Sequence, residues 1–355
     1  MTRPPGAFLR APPVVSLVAS LVTGAVASTV PALAVPLQAQ SSAGAQGDPI
    51  VVELPTSTRA LGLGGAFHGG QRESDALFAS PGHLTNPTGM EAAFQEWGSG
   101  GTLLQMSAGV DWWSGGVALG VRALGYGPSF RGSSDSEEGT RGSGWDGSES
   151  GGSGSDGAGP GWLSDDVSEL QLAVGYGRVV WGFRMGAVGS VLQFRTGGRD
   201  ETTGALGLGA ARSVGPVVLS ASALNLGGGL ETPPLAGDVD LADMTPTALS
   251  LSREIALGVA SRTYPLGPLD MGAAARLSFH EGGTATYGGG LEISYWPIQG
   301  RTFTVRVGAR EAHDGSNLRW WTAGAGFRGD RLGLDYALMP FEGGTVSHRI
   351  GLIFR

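Results

Sequence analysis

The chain has 355 residues, with 64 glycines, no cysteine, and 23 basic against 31 acidic residues, a formal charge of −8. Without cysteine there is no disulfide, thiolate metal site or lipoprotein attachment. Every basic residue is arginine, which excludes a Walker loop, Schiff-base chemistry and a pyridoxal phosphate cofactor, and the acidic balance argues against nucleic acid as a partner.

At the N-terminus, Arg3 and Arg10 accompany an apolar run over 14–30, and Ala32-Leu33-Ala34 offers an A-x-A cleavage site. Residues 1–34 are therefore expected to be a secretory signal peptide. A polar leader follows. Over 51–100 the sequence alternates poorly and turn formers recur: Pro55, Pro81-Gly82, Asn86-Pro87 and Thr88-Gly89. Residues 35–100 are thus expected to be a leader and a compact irregular segment. No later stretch approaches the ~20 apolar residues of a spanning helix.

A period of two governs the remainder. In 102–110, Leu104, Met106, Ala108 and Val110 point one way, and Gln105, Ser107 and Gly109 the other. In 302–310, Phe303, Val305, Val307 and Ala309 oppose Thr304, Arg306, Gly308 and Arg310. About ten residues tilted at roughly 45° cross a bilayer. A soluble sandwich also alternates, but its outer face meets water and carries charge. Here the apolar face is almost uninterrupted, as in a barrel with lipid outside and a polar lumen.

Strands are predicted near 102–111, 116–124, 167–176, 180–195, 203–212, 216–226, 247–262 (one strand or two), 269–280, 284–296, 302–311, 318–328, 331–339 and 346–355. Roughly 12–14 spans fit, and an even number is expected of one chain. The predicted fold is an all-β, transmembrane barrel of about 14 antiparallel strands over residues 101–355. Residues 125–166 break the pattern: Gly and Ser dominate, and eight acids (Asp135, Glu137, Glu138, Asp146, Glu149, Asp156, Asp165, Asp166) face only Arg131 and Arg141. So little apolar surface cannot offset the entropy of ordering, which predicts a long acidic extracellular loop.

Aromatic residues gather near predicted strand ends, among them Trp112-Trp113, Tyr176, Trp181, Tyr295-Trp296 and Trp320-Trp321. They suit the two interfacial girdles of a barrel. Charges fall on the polar face: Arg122, Glu169, Arg184, Glu292, Arg306, Arg310 and Asp335. A charge cannot face lipid cheaply, so these are candidate lumen-lining residues. Two roles stay open for them, an ion-pair network that anchors the N-terminal segment or a direct part in a substrate path.

Motifs for chemistry are weak. Gly324-Ala325-Gly326-Phe327-Arg328-Gly329 matches G-x-G-x-x-G, but it sits in a predicted strand with no helix N-terminus after it to hold a pyrophosphate. Gly151-Gly152-Ser153-Gly154-Ser155-Asp156 resembles one calcium-binding repeat, which binds only when stacked on others. The histidines (His68, His83, His280, His313, His348) lack a second ligand at i+4. No catalytic, cofactor or metal site is assigned, and the protein is not expected to be an enzyme.

The stretch Thr58-Arg59-Ala60-Leu61-Gly62-Leu63-Gly64-Gly65-Ala66-Phe67, followed by Asn86-Pro87-Thr88-Gly89-Met90, resembles the opening of PorV/PorQ-type outer-membrane proteins, relatives of the FadL long-chain fatty-acid transporters. Leu224-Asn225-Leu226-Gly227, Leu334-Asp335-Tyr336-Ala337 and His348-Arg349-Ile350-Gly351-Leu352 continue the likeness. Thr88 stands where that family has Ala, and extra residues separate Phe78 from the Asn-Pro step.

The resemblance implies a barrel whose N-terminal segment folds into the lumen as a hatch, in the outer membrane of a bacterium. Arg59, Gly62, Gly64, Gly65, Asn86, Pro87 and Gly89 become candidate hatch residues. It further implies either transport of hydrophobic small molecules or accessory work in type IX secretion, where the partner is a secreted-protein signal. Membrane lipids are the remaining partner. The alternative is a structural or surface-interaction porin whose acidic loop makes the contacts.

Overall fold

The computed structural model describes residues 49–66, 73–97, 101–126, 167–196, 199–227, 230–232, 247–249, 251–281, 283–311 and 318–354. The signal peptide, most of the leader, Arg72, the calcium-like stretch and all but the first residues of the acidic loop lie outside them.

Three short helices open the described chain: α1 (Ile50–Glu53), α2 (Thr58–Gly62) and α3 (Ala76–Ala79). Strands follow to the end. The first seven are β1 (Gly89–Trp97), β2 (Gly101–Trp112), β3 (Gly115–Tyr126), β4 (Val167–Val180), β5 (Phe183–Thr196), β6 (Arg199–Val214) and β7 (Val217–Gly227). Next come β8 (Leu230–Thr232), β9 (Thr247–Leu249), β10 (Glu254–Ser261), β11 (Tyr264–Leu266) and β12 (Leu269–His280). The last five are β13 (Ala285–Ile298), β14 (Arg301–Arg310), β15 (Trp321–Arg328), β16 (Leu332–Pro340) and β17 (Val346–Phe354).

Antiparallel pairing runs from β1 through β7 to β10, then to β12 and on to β17, which pairs with β1. The short β11 pairs only with β12, and β8 and β9 form a hairpin of their own. The rest make a closed ring of 14 strands. Closure leaves no unpaired edge, so every wall strand satisfies its backbone groups without water.

The two faces invert the usual order of a soluble protein. On β2, Leu103, Gln105 and Ser107 are buried while Met106 and Val110 are exposed; on β14, Thr304 and Arg306 are buried while Phe303, Val305 and Val307 are exposed. A continuous apolar exterior of this extent is stable only in lipid. Among the described residues no helix is long and apolar enough to cross a membrane; the strands do the crossing.

One end of the barrel carries two-residue turns at 113–114, 181–182, 215–216 and 299–300. At two of them both residues have positive φ: Trp113 and Ser114 (45° and 56°), and Trp181 and Gly182 (50° and 78°). Such turns match the right-handed strand twist. The long connections leave from the other end, which is the extracellular one by the usual rule for such barrels.

Two expectations change. The wall begins at Gly89, not at residue 101, because β1 pairs with β2 over its whole length and with β17 from Met90 to Glu96. The stretch 247–262 supplies one wall strand, β10, while β9 belongs to the side hairpin. The gain offsets the loss, and the count stays at 14.

Candidate functional site

The segment before β1 runs down the lumen from the long-loop end, and its charged and polar neighbours on the wall hold it there. At the top, the Glu169 carboxylate accepts the backbone N–H groups of Ile50 (3.2 Å) and Val51 (2.6 Å), and the Tyr126 hydroxyl as well. Arg122 donates to the Leu54 carbonyl at 2.9 Å. Between these fixed points Val51 and Leu54 pack with Leu103, Leu124, Leu192 and Leu251 in an apolar cluster.

Below, Arg349 is fully buried and spreads its guanidinium over the backbone of the segment. It donates to the carbonyls of Pro55 (2.8 Å) and Thr56 (3.5 Å), to the Thr58 hydroxyl (3.3 Å), and to Gln95 (3.1 Å) and Gln105 (3.0 Å) of the wall. Ser57 then caps α2 by accepting from the Ala60 N–H at 2.9 Å, which satisfies an otherwise orphan helix donor.

Arg59 leaves α2 into a chain of ion pairs. It reaches Glu73 at 2.7 Å and Glu292 at 2.7 and 3.0 Å. Glu292 also receives Arg306 at 2.6 Å; Arg306 reaches Asp335 at 2.9 Å, and Asp335 takes Arg328 at 2.6 Å. Three carboxylates and three guanidiniums alternate, so a buried network carries no net charge and every member is hydrogen-bonded. Burial opposes the charge on Arg59, but Glu73 and Glu292 outweigh it and hold the guanidinium above its ordinary value.

Close backbone contact follows. Gly62 lies against Gly324 and the stem of Arg306. Gly64, with φ 68°, presses on the Ala309 carbonyl, and its N–H donates to the Thr322 hydroxyl at 3.1 Å. Gly65 also has positive φ but faces open space.

The second half of the segment is apolar at Ala76–Ala79 and Leu84, and there it rests on bare wall. Ser74 and Ser107 share a hydrogen bond at 2.7 Å. Leu77 and Phe78 of α3 then cover Gly120, Pro81 covers Gly186, and Leu84 covers Gly177. The glycines that enrich β3–β5 on their inner face make a seat for this plug. Near the exit, Asn86 turns its amide toward the Asp111 carboxylate and Pro87 sits on Gly109 and Gly116, after which Gly89 opens the wall.

The segment is therefore a lumenal hatch, and the seven wall charges named from sequence all lie on the lumen side. Arg59 meets Glu292 and Glu73, and Arg122 holds a carbonyl and stacks on the Phe78 ring at 5.5 Å. Arg310 donates to the Met339 sulfur at 3.2 Å. Arg184 has a buried nitrogen without a partner and lines a cavity of about 600 Å³ beside Asn86 and Asp111 at the short-turn end. Arg349, Gln95, Gln105 and Ser107 were missed as site residues. Their inward parity was the available signal.

On the lipid side, an apolar groove of about 980 Å³ crosses β1–β7, flanked by Met106, Leu119, Leu172, Val191 and Leu206. Gly120 and Ala173 line it too, although Leu77 and Phe78 pack near them from the lumen. There the wall is one backbone thick. Gly189 and Gly204 deepen the groove, since an added Cβ at either would meet almost nothing.

No family model matches the chain, and neither does any curated protein. Solved structures do. The Pseudomonas putida toluene transporter TodX aligns with a TM-score of 0.50 at 12% identity, over 83% of this chain and 96% of that one. A TodX monoaromatic hydrocarbon channel variant gives 0.50 at 13%, over 85% and 98%. A Pseudomonas aeruginosa FadL homologue gives 0.44 at 10%, over 84% and 96%. At such identities the likeness to TodX speaks for the fold alone, a closed β-barrel of the outer-membrane type.

Proposed function

We propose that this protein admits hydrophobic small molecules across the outer membrane of a bacterium, with the hatch as its gate. The observation that carries this reading is the pairing of two apolar surfaces across a thin wall: the hatch cluster around Leu77 and Phe78 inside, and the groove outside. A water-filled porin needs neither. The toluene and hydrocarbon channels that share the fold favour the same solute class.

The groove supplies the test. Gly189→Phe fills it from the lipid side, where no atom lies within 4 Å of the new Cβ, so the variant should fold and insert normally. Toluene uptake by vesicles carrying it should fall severalfold relative to the parent. Unchanged uptake in the variant means that the groove plays no part, and no uptake by the parent over empty vesicles rejects transport.

Accessory work in type IX secretion rests on the PorV/PorQ-like opening at Thr58–Gly62 and the residues after it. Co-purification of a secreted protein's C-terminal signal with the intact barrel is its test.

A further inference from the structure

A carboxyl on the hatch stands out because nothing in the ion-pair chain serves it. Asp75 is 1% exposed, and neither of its oxygens makes a hydrogen bond. It occupies the position before α3 where an aspartate ordinarily caps a helix, yet it caps nothing. The Ser57 hydroxyl is close enough to favour a charge there but stands outside hydrogen-bond geometry.

Glu91 of β1 is the wall group beside it. Ser74, the residue before Asp75, bonds to Ser107 of β2, and Ser107 is the register partner of Glu91. Directly opposed residues have Cα atoms about 4.5–5.5 Å apart, so the turn that carries Asp75 is tied down next to Glu91, itself 6% exposed.

The charges around this pair come from every neighbouring element. The hatch brings Glu73 and Arg59, β16 brings Asp335, and β17 brings Arg349. Both arginines are engaged elsewhere, Arg59 with Glu73 and Glu292, Arg349 with two carbonyls, two glutamines and a threonine. Among the described residues Arg349 is therefore the one guanidinium whose charge both carboxylates feel and that is not salt-bridged elsewhere. With Glu73 and Asp335 adding negative charge, two buried carboxylates on one shared cation cannot both stay ionised in such a site.

We propose that the buried Asp75 and Glu91 pair holds a proton as long as the hatch is docked, so that the hatch is a proton-binding gate that loosens as the pH rises. The idea rests on the hatch closing the lumen, as the proposed function requires. Burial, with the charge of Glu73 second, pushes the Asp75 carboxyl from 3.8 up to about 8. A released Asp75, exposed to water, returns to its ordinary value. The docked hatch thus binds the proton more tightly, and its advantage is complete below about pH 4 and gone above about pH 8. Between these limits each pH unit raises the undocked-to-docked ratio by at most about tenfold.

Conductance of the full chain in planar bilayers, measured in one salt from pH 5 to pH 9, tests the gate. Wild type should rise at least severalfold and level off above pH 8. Asp75→Asn, which keeps the site neutral, should stay closed throughout. Glu91→Gln should shrink the rise, and it serves as the second variant if Asp75→Asn does not fold. A flat wild-type profile, or the same rise in a folded Asp75→Asn or Glu91→Gln protein, overturns the proposal. Toluene uptake at a single pH bears on transport separately, so either idea can fail alone.

Discussion

Arg306 on β14 and Asp335 on β16 form a 2.9 Å ion pair across the strand between them, over the bare face of Gly326. A Cβ on Gly326 would collide with the Asp335 carboxylate and stand 3.0–3.1 Å from the Arg306 guanidinium nitrogens. Arg306 also holds Glu292, which holds Arg59 of the hatch. One glycine on the wall therefore decides whether the whole network can close.

Gly326→Val should break that pair and weaken the hatch without opening the barrel. The expected signs are raised bilayer conductance and retained heat-modifiable gel migration. Gly326→Ala should show the same change to a smaller degree, because the tips of two flexible side chains can yield.

Arg59→Met removes the hatch end of the network and leaves Glu73 without its partner. Breaking a buried pair costs about 3–5 kcal/mol, and the 16% exposure of the Arg59 side chain puts this one at the lower end. Docking of the hatch should weaken by about 3 kcal/mol. Protease sensitivity of residues 49–88 in an otherwise resistant barrel is the measurement.

Gly64→Ala and Gly65→Ala separate strain from collision. Both positions have positive φ, and an L residue there costs roughly 1–2 kcal/mol. At Gly64 the methyl would also run into the Ala309 carbonyl, whereas at Gly65 it meets nothing. Gly64→Ala should loosen the hatch far more by the same protease assay. Equal effects would mean that only backbone strain matters.

The strands were legible because lipid imposes an uninterrupted apolar face, so even isolated arginines mark the lumen. β1 was not, because its inward face carries Glu91, Ala93 and Gln95 while its outward face mixes Met90 and Phe94 with Ala92 and Glu96. That mixture hides the period. The hatch motif was visible as a resemblance, but its pairing with Glu292 depends on register among four strands. The G-x-G-x-x-G match has a structural cause: Gly324 makes room for Gly62 and Gly326 for the ion pair.

Closure of the ring gives a simpler check. A barrel with every strand paired resists dodecyl sulfate until heated, so unboiled protein should migrate faster than boiled protein and show a sheet spectrum in detergent. A helical spectrum contradicts the fold.

Reversible locking of the hatch asks most directly whether the hatch gates a route for hydrophobic solutes. The chain has no cysteine of its own, and the Ser74 and Ser107 oxygens lie 2.7 Å apart, near enough for Ser74→Cys and Ser107→Cys to form a disulfide. Toluene uptake by vesicles carrying the double variant would be measured oxidised and then reduced. The expected result is uptake near the empty-vesicle level when oxidised and recovery to the parent rate on reduction. Equal uptake in both states, with the disulfide confirmed, would contradict a gate at the hatch.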